Sequence, residues 1–215
     1  MIYAYTQHEN TIRIIESTCN VAITRLRQDR SRDVVEDVLS QLPPNEPAIL
    51  YAVMPLDRAV QLVQQAPWVR LRLLQLDGKV VESLTGRPYD PKTQYDDEVV
   101  RKALRVYEVK GGKIRYLAVD EFIRELAGKR VAVFNDAVRQ AIEILAGETP
   151  IELVKTCEDS SCVEVNPPGF KSGYRISFSG TVGRLSPEQM AEVIRGGQAR
   201  IYYLEVDARE APLCP

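Results

Sequence analysis

The chain has 215 residues, 45% hydrophobic and 27% charged, a globular composition that excludes intrinsic disorder. Its net charge of −2 excludes a globally basic binder of nucleic acid or membrane surface, so any anion site has to be local. No apolar run approaches the ~20 residues needed to span a bilayer, and Met1-Ile2-Tyr3-Ala4-Tyr5 opens as strand-like sequence with no basic or apolar leader. The expectation is a soluble, cytoplasmic protein with no membrane partner. Its basic residues are 20 arginines against 8 lysines, a thermophile-like bias that also suits bidentate ion pairs.

In chain order, Ile2 to Thr6 and Thr11 to Glu16 are β-rich runs around Gln7-His8-Glu9-Asn10, a pattern that predicts a hairpin. Val21 to Leu26 reads as a third strand. Ser31 is placed to cap a helix with apolar positions Val34, Val35, Val38, Leu39 and Leu42, ended by Pro43-Pro44. Ala48 to Met54 carries no charge on either face and reads as a strand buried on both sides. Pro55 then opens a helix through Leu56, Ala59, Val60 and Val63, and Trp68 to Leu76 returns as a strand. Strand, helix, strand at these lengths predicts a right-handed βαβ unit with a parallel pair. The resulting order, βββαβαβ, is shared with the ribonuclease H-like fold. Metal-dependent nucleases on that fold need carboxylates at the first strand and near the end of the fourth. Here the first strand offers Tyr3, Tyr5 and Thr6, and the fourth ends Val53-Met54-Pro55, so that constellation is missing.

Asp77-Gly78-Lys79 predicts a turn, and Gly86 to Pro91 a loop. A helix through Asp96, Val99, Val100 and Leu104 follows, with acids at its head and Arg101, Lys102 and Arg105 at its tail. Lys110-Gly111-Gly112-Lys113 between two β-rich runs predicts a second hairpin. Asp120 heads a short helix closed by Gly128. From Arg130 onward the pattern is strand, helix, strand, strand, helix, strand. Asn135 or Asp136 heads the first helix and Ser186-Pro187-Glu188-Gln189 the second, the latter a capping-box signature. That order, βαββαβ, is ferredoxin-like. The fold class is therefore α/β (mixed α+β), with an N-terminal unit at 1–86, a connecting helix and hairpin at 87–129, and a C-terminal unit at 130–215.

Three constellations bear on function. Arg25, Arg27, Arg30 and Arg32, joined by Arg70 and Arg72 on a nearby strand, form a candidate nucleic-acid-binding face, provided the interspersed Asp29, Asp33, Glu36 and Asp37 do not neutralise it. Asp90 with Glu108 and Lys110 has the acid, Glu-x-Lys pattern of a metal-dependent nuclease, although Lys110 also fits a solvated hairpin. Cys157 and Cys162, with the isolated Cys19 and Cys214, admit a disulfide at one or both pairs, free thiols, or a zinc site that lacks a second short ligand pair. Tyr174 and Phe178 alternate with Ile176 on an apolar face, with Arg175 and Ser177 outward, which favours core packing over base stacking. There is no phosphate-binding or dinucleotide glycine loop, no Gly-x-Ser-x-Gly elbow, and only one histidine. No cofactor or resident metal is expected. The balance favours a binding or assembly protein with a nucleic-acid or protein partner over an enzyme. The alternatives are the nuclease and a small-ligand or nucleotide sensor using the crevice near Met54 and Asp77.

Overall fold

The computed structural model describes residues 1–90, 92–133, 135–155, 162–165, 172–178 and 185–215. The class is α/β. Two compact units form, one from Met1–Gly111 with Asp207–Pro215 and one from Gly112–Val206. The segment 87–129 is thus divided between them.

In the first unit the order is β1 (Ile2–Tyr5), α1 (Glu9–Cys19), β2 (Thr24–Arg25), α2 (Val34–Gln41), β3 (Ala48–Ala52), α3 (Leu56–Gln65), β4 (Val69–Leu76), α4 (Gly78–Thr85), α5 (Asp97–Ala103) and β5 (Leu104–Leu117). The strands lie in the order β2-β1-β3-β4-β5. The first four are parallel and β5 is antiparallel to β4. Leu50 and Tyr51 on β3 are wholly buried, as a strand with apolar residues on both faces requires. One face packs Tyr3, Tyr5, Leu50 and Leu71 against Val38 of α2 and Leu62 of α3. The other packs Ala4 and Tyr51 against Ile12 and Ile15 of α1. Each such aliphatic side chain contributes about 1.5–3 kcal/mol by leaving water.

This arrangement corrects the ribonuclease H-like order. Thr11 to Glu16 is helix, not strand, because Ile12 and Ile15 repeat at helical spacing and meet the sheet from one side of α1. The burial of that stripe overrides the β-preference of the isoleucine-rich run. No meander forms, and β1, β2 and β3 are parallel strands joined by helices. The predicted turn at Asp77-Gly78 is instead a helix start, with the Asp77 carboxylate accepting from the Lys79 and Val80 N–H groups. Asp33, not Ser31, caps α2. Lys110-Gly111-Gly112-Lys113 is extended within β5 rather than a hairpin. A two-residue hairpin of the expected type needs φ > 0, and among the described residues the positive-φ glycines, Gly86, Gly128, Gly147 and Gly197, all follow helices instead.

The second unit contains the end of β5, then α6 (Val119–Leu126), β6 (Arg130–Val133), α7 (Asp136–Ala146), β7 (Glu152–Val154), β8 (Cys162–Val165), β9 (Gly173–Phe178), α8 (Pro187–Arg195) and most of β10 (Ala199–Ala211). Its strands run β10-β9-β8-β6-β7. β6 pairs with β7 in parallel and with β8 antiparallel. The ferredoxin-like order is corrected by β8, an extra strand between β7 and β9. Phe122, Leu126, Ile142, Met190 and Ile194 from the three helices share one core with Tyr174, Ile176 and Ile201. Tyr174 meets Phe122 and Tyr203 edge-on and donates its hydroxyl to Glu125, which Arg115 also holds at 2.7 Å. Arg175, expected outward, is buried at 4% exposure. The Ser186/Gln189 capping box is present at the start of α8.

Cys19 and Cys214 form a disulfide with their Cα atoms 5.3 Å apart and a sequence separation of 195. Cys157 and the side chain of Cys162 lie outside the described residues. No helix among the described residues is long and apolar enough to cross a membrane.

Closing so long a loop restricts the unfolded chain most strongly. Reduction of Cys19–Cys214 is therefore expected to lower the unfolding free energy by about 2–5 kcal/mol. Guanidinium titrations with and without a dithiol would read this as a fall in midpoint, and coincident curves would contradict it.

Candidate functional site

The strand order of the first unit dictates where a ligand can bind. From β1 the chain steps outward to β2, then crosses back over β1 to β3 and continues to β4. Consecutive connections therefore leave β1 and β3 on opposite faces, opening a crevice at their carboxyl ends. Three loops border it, residues 6–8 after β1, 26–33 after β2 and 53–55 after β3. Val53 is 44% exposed there.

The 26–33 loop is held by specific contacts. Leu26 N–H donates to the Ala4 carbonyl at 2.8 Å, continuing the parallel pairing. The Gln41 side chain brackets Arg27, accepting from its N–H at 2.8 Å and donating to its carbonyl at 2.7 Å. Asp37 is buried, and one of its carboxylate oxygens accepts from the Tyr5 hydroxyl at 2.7 Å and the Asp29 N–H at 2.9 Å. Gln41 also reaches its second oxygen at 3.3 Å. The Asp29 carboxylate accepts from both the Ser31 hydroxyl and its N–H, which hold it below the usual carboxylate range. Arg27, Arg30 and Arg32 are thus exposed side chains on a fixed backbone. Arg30 donates to Gln7 of the β1–α1 loop at 3.0 Å, and Arg32 to Ser40 at 3.2 Å.

The helices bordering the crevice differ at their starts. Asp33 and Asp77 cap α2 and α4, but no side chain caps α1, which follows His8, or α3, which follows Pro55. Uncapped first turns leave backbone N–H groups without intrahelical partners and with partial positive charge. Glu9 and Asp57 in those turns supply part of the compensating charge.

The structure divides the six arginines of the candidate face. Arg25 is held between Glu9 and Glu16, its Nη2 at 2.7 Å from each. Hydrogen bonds from Arg25, then from Ile23 N–H, lower Glu16 to about 2. Arg70 contacts Glu108 at 2.9 Å, and Lys110 takes the other oxygen of that carboxylate, also at 2.9 Å. Arg72 is buried under residues 212–214.

Asp90, Glu108 and Lys110 are only partly brought together. Glu108 and Lys110 pair directly, and the Lys110 and Arg70 contacts keep Glu108 ionised below its ordinary range against the opposing cost of burial. Asp90 turns onto its own loop, accepting from Lys92 N–H at 2.9 Å and the Thr93 hydroxyl at 3.2 Å. Among the described residues, no group of three or more His, Cys, Asp or Glu side chains is arranged to hold a metal ion.

Sequence reasoning missed the residues that shape the loop. Asp37 was counted only as a counter-charge, and Gln41 not at all. One signal was present, since both share the Val34 and Val38 side of α2 at i, i+4 spacing. A polar pair on an otherwise buried stripe needs partners.

Burial, then the hydrogen bond to Asp37, pushes the Tyr5 hydroxyl up to about 12. Because its folded value lies above the ordinary 10.0, the stabilisation is complete below pH 10 and is lost as pH rises through about 12. Burial raises Tyr51 and Tyr174 as well, so tyrosinate absorbance is expected to show several late-titrating phenols, one of which Tyr5→Phe removes. An unchanged late-titrating amplitude in that variant would sink the assignment.

No protein-family model matches the chain, and neither does any curated protein or solved structure. The geometry of the site alone supports the reading that follows.

Proposed function

We propose that this is a binding protein for a small phosphate-bearing ligand, a nucleotide in the first instance, engaged at the carboxyl ends of β1, β2 and β3. One observation carries the reading: Arg27, Arg30 and Arg32 stand exposed on a loop whose backbone is pinned by Gln41 and Asp37 beside the β1/β3 crevice. A pre-set loop loses little entropy on binding, and guanidinium groups match phosphate oxygens bidentately. The uncapped start of α3 adds backbone donors along the same border.

The distribution of charge favours a small ligand over a nucleic-acid strand. A strand is held by successive phosphate contacts along a basic track. Arg25 and Arg70 already have carboxylate partners, and Arg72 is covered. What stays exposed is one local cluster, suited to one phosphate group or a short phosphate chain.

Calorimetric titration at low salt with mononucleotides and inorganic phosphate tests the proposal. Hydrogen bonds to charged groups contribute about 1.5–3 kcal/mol each, so Arg30→Gln is expected to weaken binding by roughly tenfold or more. Joint replacement of Arg27, Arg30 and Arg32 by Gln should abolish it, while Arg70→Gln leaves it unchanged. No binding by the wild type, or equal binding by the triple variant, would overturn the reading. Preferential, steeply salt-dependent binding of an oligonucleotide would replace it with nucleic-acid recognition.

A further inference from the structure

Arg72 sits in the middle of β4, in register with Tyr51 on β3 and Glu108 on β5, and is only 2% exposed. Glu108 turns away to Arg70 and Lys110. Among the described residues Arg72 meets no carboxylate. Its guanidinium lies over the Tyr51 ring, 5.4 Å from the centroid. Nη2 donates to the Pro212 carbonyl and reaches the Cys214 carbonyl at 3.5 Å, while Nε is buried with no acceptor. Between those carbonyls, that of Leu213 accepts from the Tyr51 hydroxyl at 2.7 Å.

A permanent cation removed from water and answered by carbonyl dipoles and one ring face, with no carboxylate, is under-compensated. Nε and Nη2 form one edge of the guanidinium, the edge that grips a carboxylate or phosphate through two parallel hydrogen bonds. Here the carbonyl acceptors all fall on Nη2 and Nε has none, where an oxyanion would supply one to each. The covering segment is kept in place by the Cys19–Cys214 disulfide and by Leu213, which packs against the apolar cluster of Ala4, Ile12 and Tyr51. Cys214 itself lies at the surface, open to a reductant.

We propose that residues 212–214 are a strap standing in for an oxyanion at Arg72, locked by the Cys19–Cys214 disulfide and released by its reduction. In the unlocking step a dithiol attacks the disulfide. The sulfur–sulfur bond breaks, two cysteine thiols form with the two electrons and two protons the dithiol supplies, and the dithiol becomes a disulfide. The strap then keeps only its hydrogen bonds and the Leu213 contact, and exchanges with solvent oxyanions. The opened site takes a carboxylate or phosphate on the Nε/Nη2 edge, with Tyr51 as a further donor. It shares no residue with the 26–33 loop and does not rest on the function proposed there.

The test uses the full chain with Arg27, Arg30 and Arg32 replaced by Gln, so the loop contributes no anion binding. The arginine-directed reagent phenylglyoxal is applied to oxidised and dithiol-reduced protein, and modification of Arg72 is read by peptide mass spectrometry with and without inorganic phosphate. Arg72 should be protected when oxidised, modified at least tenfold faster when reduced, and protected again by phosphate. The Cys214→Ser variant should behave as reduced protein without any dithiol. Equal modification in both redox states, reduced-state modification that phosphate does not slow, or loss of the circular-dichroism signature of the fold on reduction would each overturn the proposal.

Discussion

The first unit depends on the need to satisfy one buried carboxylate. Asp37 lies inside α2 on the side that packs against the sheet, where an ionised group without partners would cost several kcal/mol. Among the described residues its hydrogen-bond donors are uncharged. It receives the Tyr5 hydroxyl from the end of β1, the Asp29 N–H from the loop and the Gln41 amide from one turn along. Those donors come from three successive parts of the chain. Satisfying Asp37 therefore fixes the end of β1, the path of the loop and the seating of α2 together. Gln41 extends the arrangement to Arg27, leaving the arginine side chains exposed on a pinned backbone.

The same register logic explains why six arginines do not make one face. Arg25, Ala4, Tyr51, Arg72 and Glu108 occupy one row across β2, β1, β3, β4 and β5. The row starts in an exposed ion pair, passes beneath α1 and the strap, and ends in a second ion pair. Arg70 lies two residues nearer the amino end of β4, and at about 3.3 Å per residue it points further from the crevice. Only arginines beyond the last residue of β2 reach the carboxyl edge. Position along the strand, not proximity in sequence, decides which charges can act together.

Much of this was readable from residue patterns. The uncharged run at Ala48, the proline at position 55 and the stripe through Val63 specify β3, α3 and β4, and the parallel pairing of the two strands follows. Asn135 and Ser186 cap α7 and α8 as their side-chain chemistry demands. The failures have physical causes. α1 is rich in isoleucine, and strand and helix patterns coincide over so short a run. β2 falls inside the expected Val21–Leu26 strand but is shorter, only Thr24 and Arg25 pairing with β1 while Arg25 is tied to Glu9 and Glu16. Gly111 and Gly112 permit a turn without requiring one. For the site, the arginine cluster was visible but its division was not, because the ion pairs that remove Arg25 and Arg70 join residues 16 and 38 positions apart.

α1 is common to both proposed sites, and its mechanical role decides whether they act independently. It follows His8 beside the crevice and ends at Cys19 in the disulfide, 11 residues long, or roughly 16 Å at the rise of an α-helix. Along its length Ile12 and Ile15 are buried against the sheet, and Glu9 and Glu16 both grip Arg25 of β2. Breaking the disulfide removes one tether at the far end while the buried stripe and both carboxylate contacts persist. Packed helices yield in discrete rearrangements rather than bending continuously, and after Leu213 leaves, Ile12 and Ile15 still seat α1 on Ala4 and Tyr51 of the sheet. The first turn of α1 therefore stays where the loop needs it. With α1 held by that stripe, the two proposed sites are expected to contribute nearly additively, the redox state of Cys19 and Cys214 acting on access to Arg72 and little on the arginine loop.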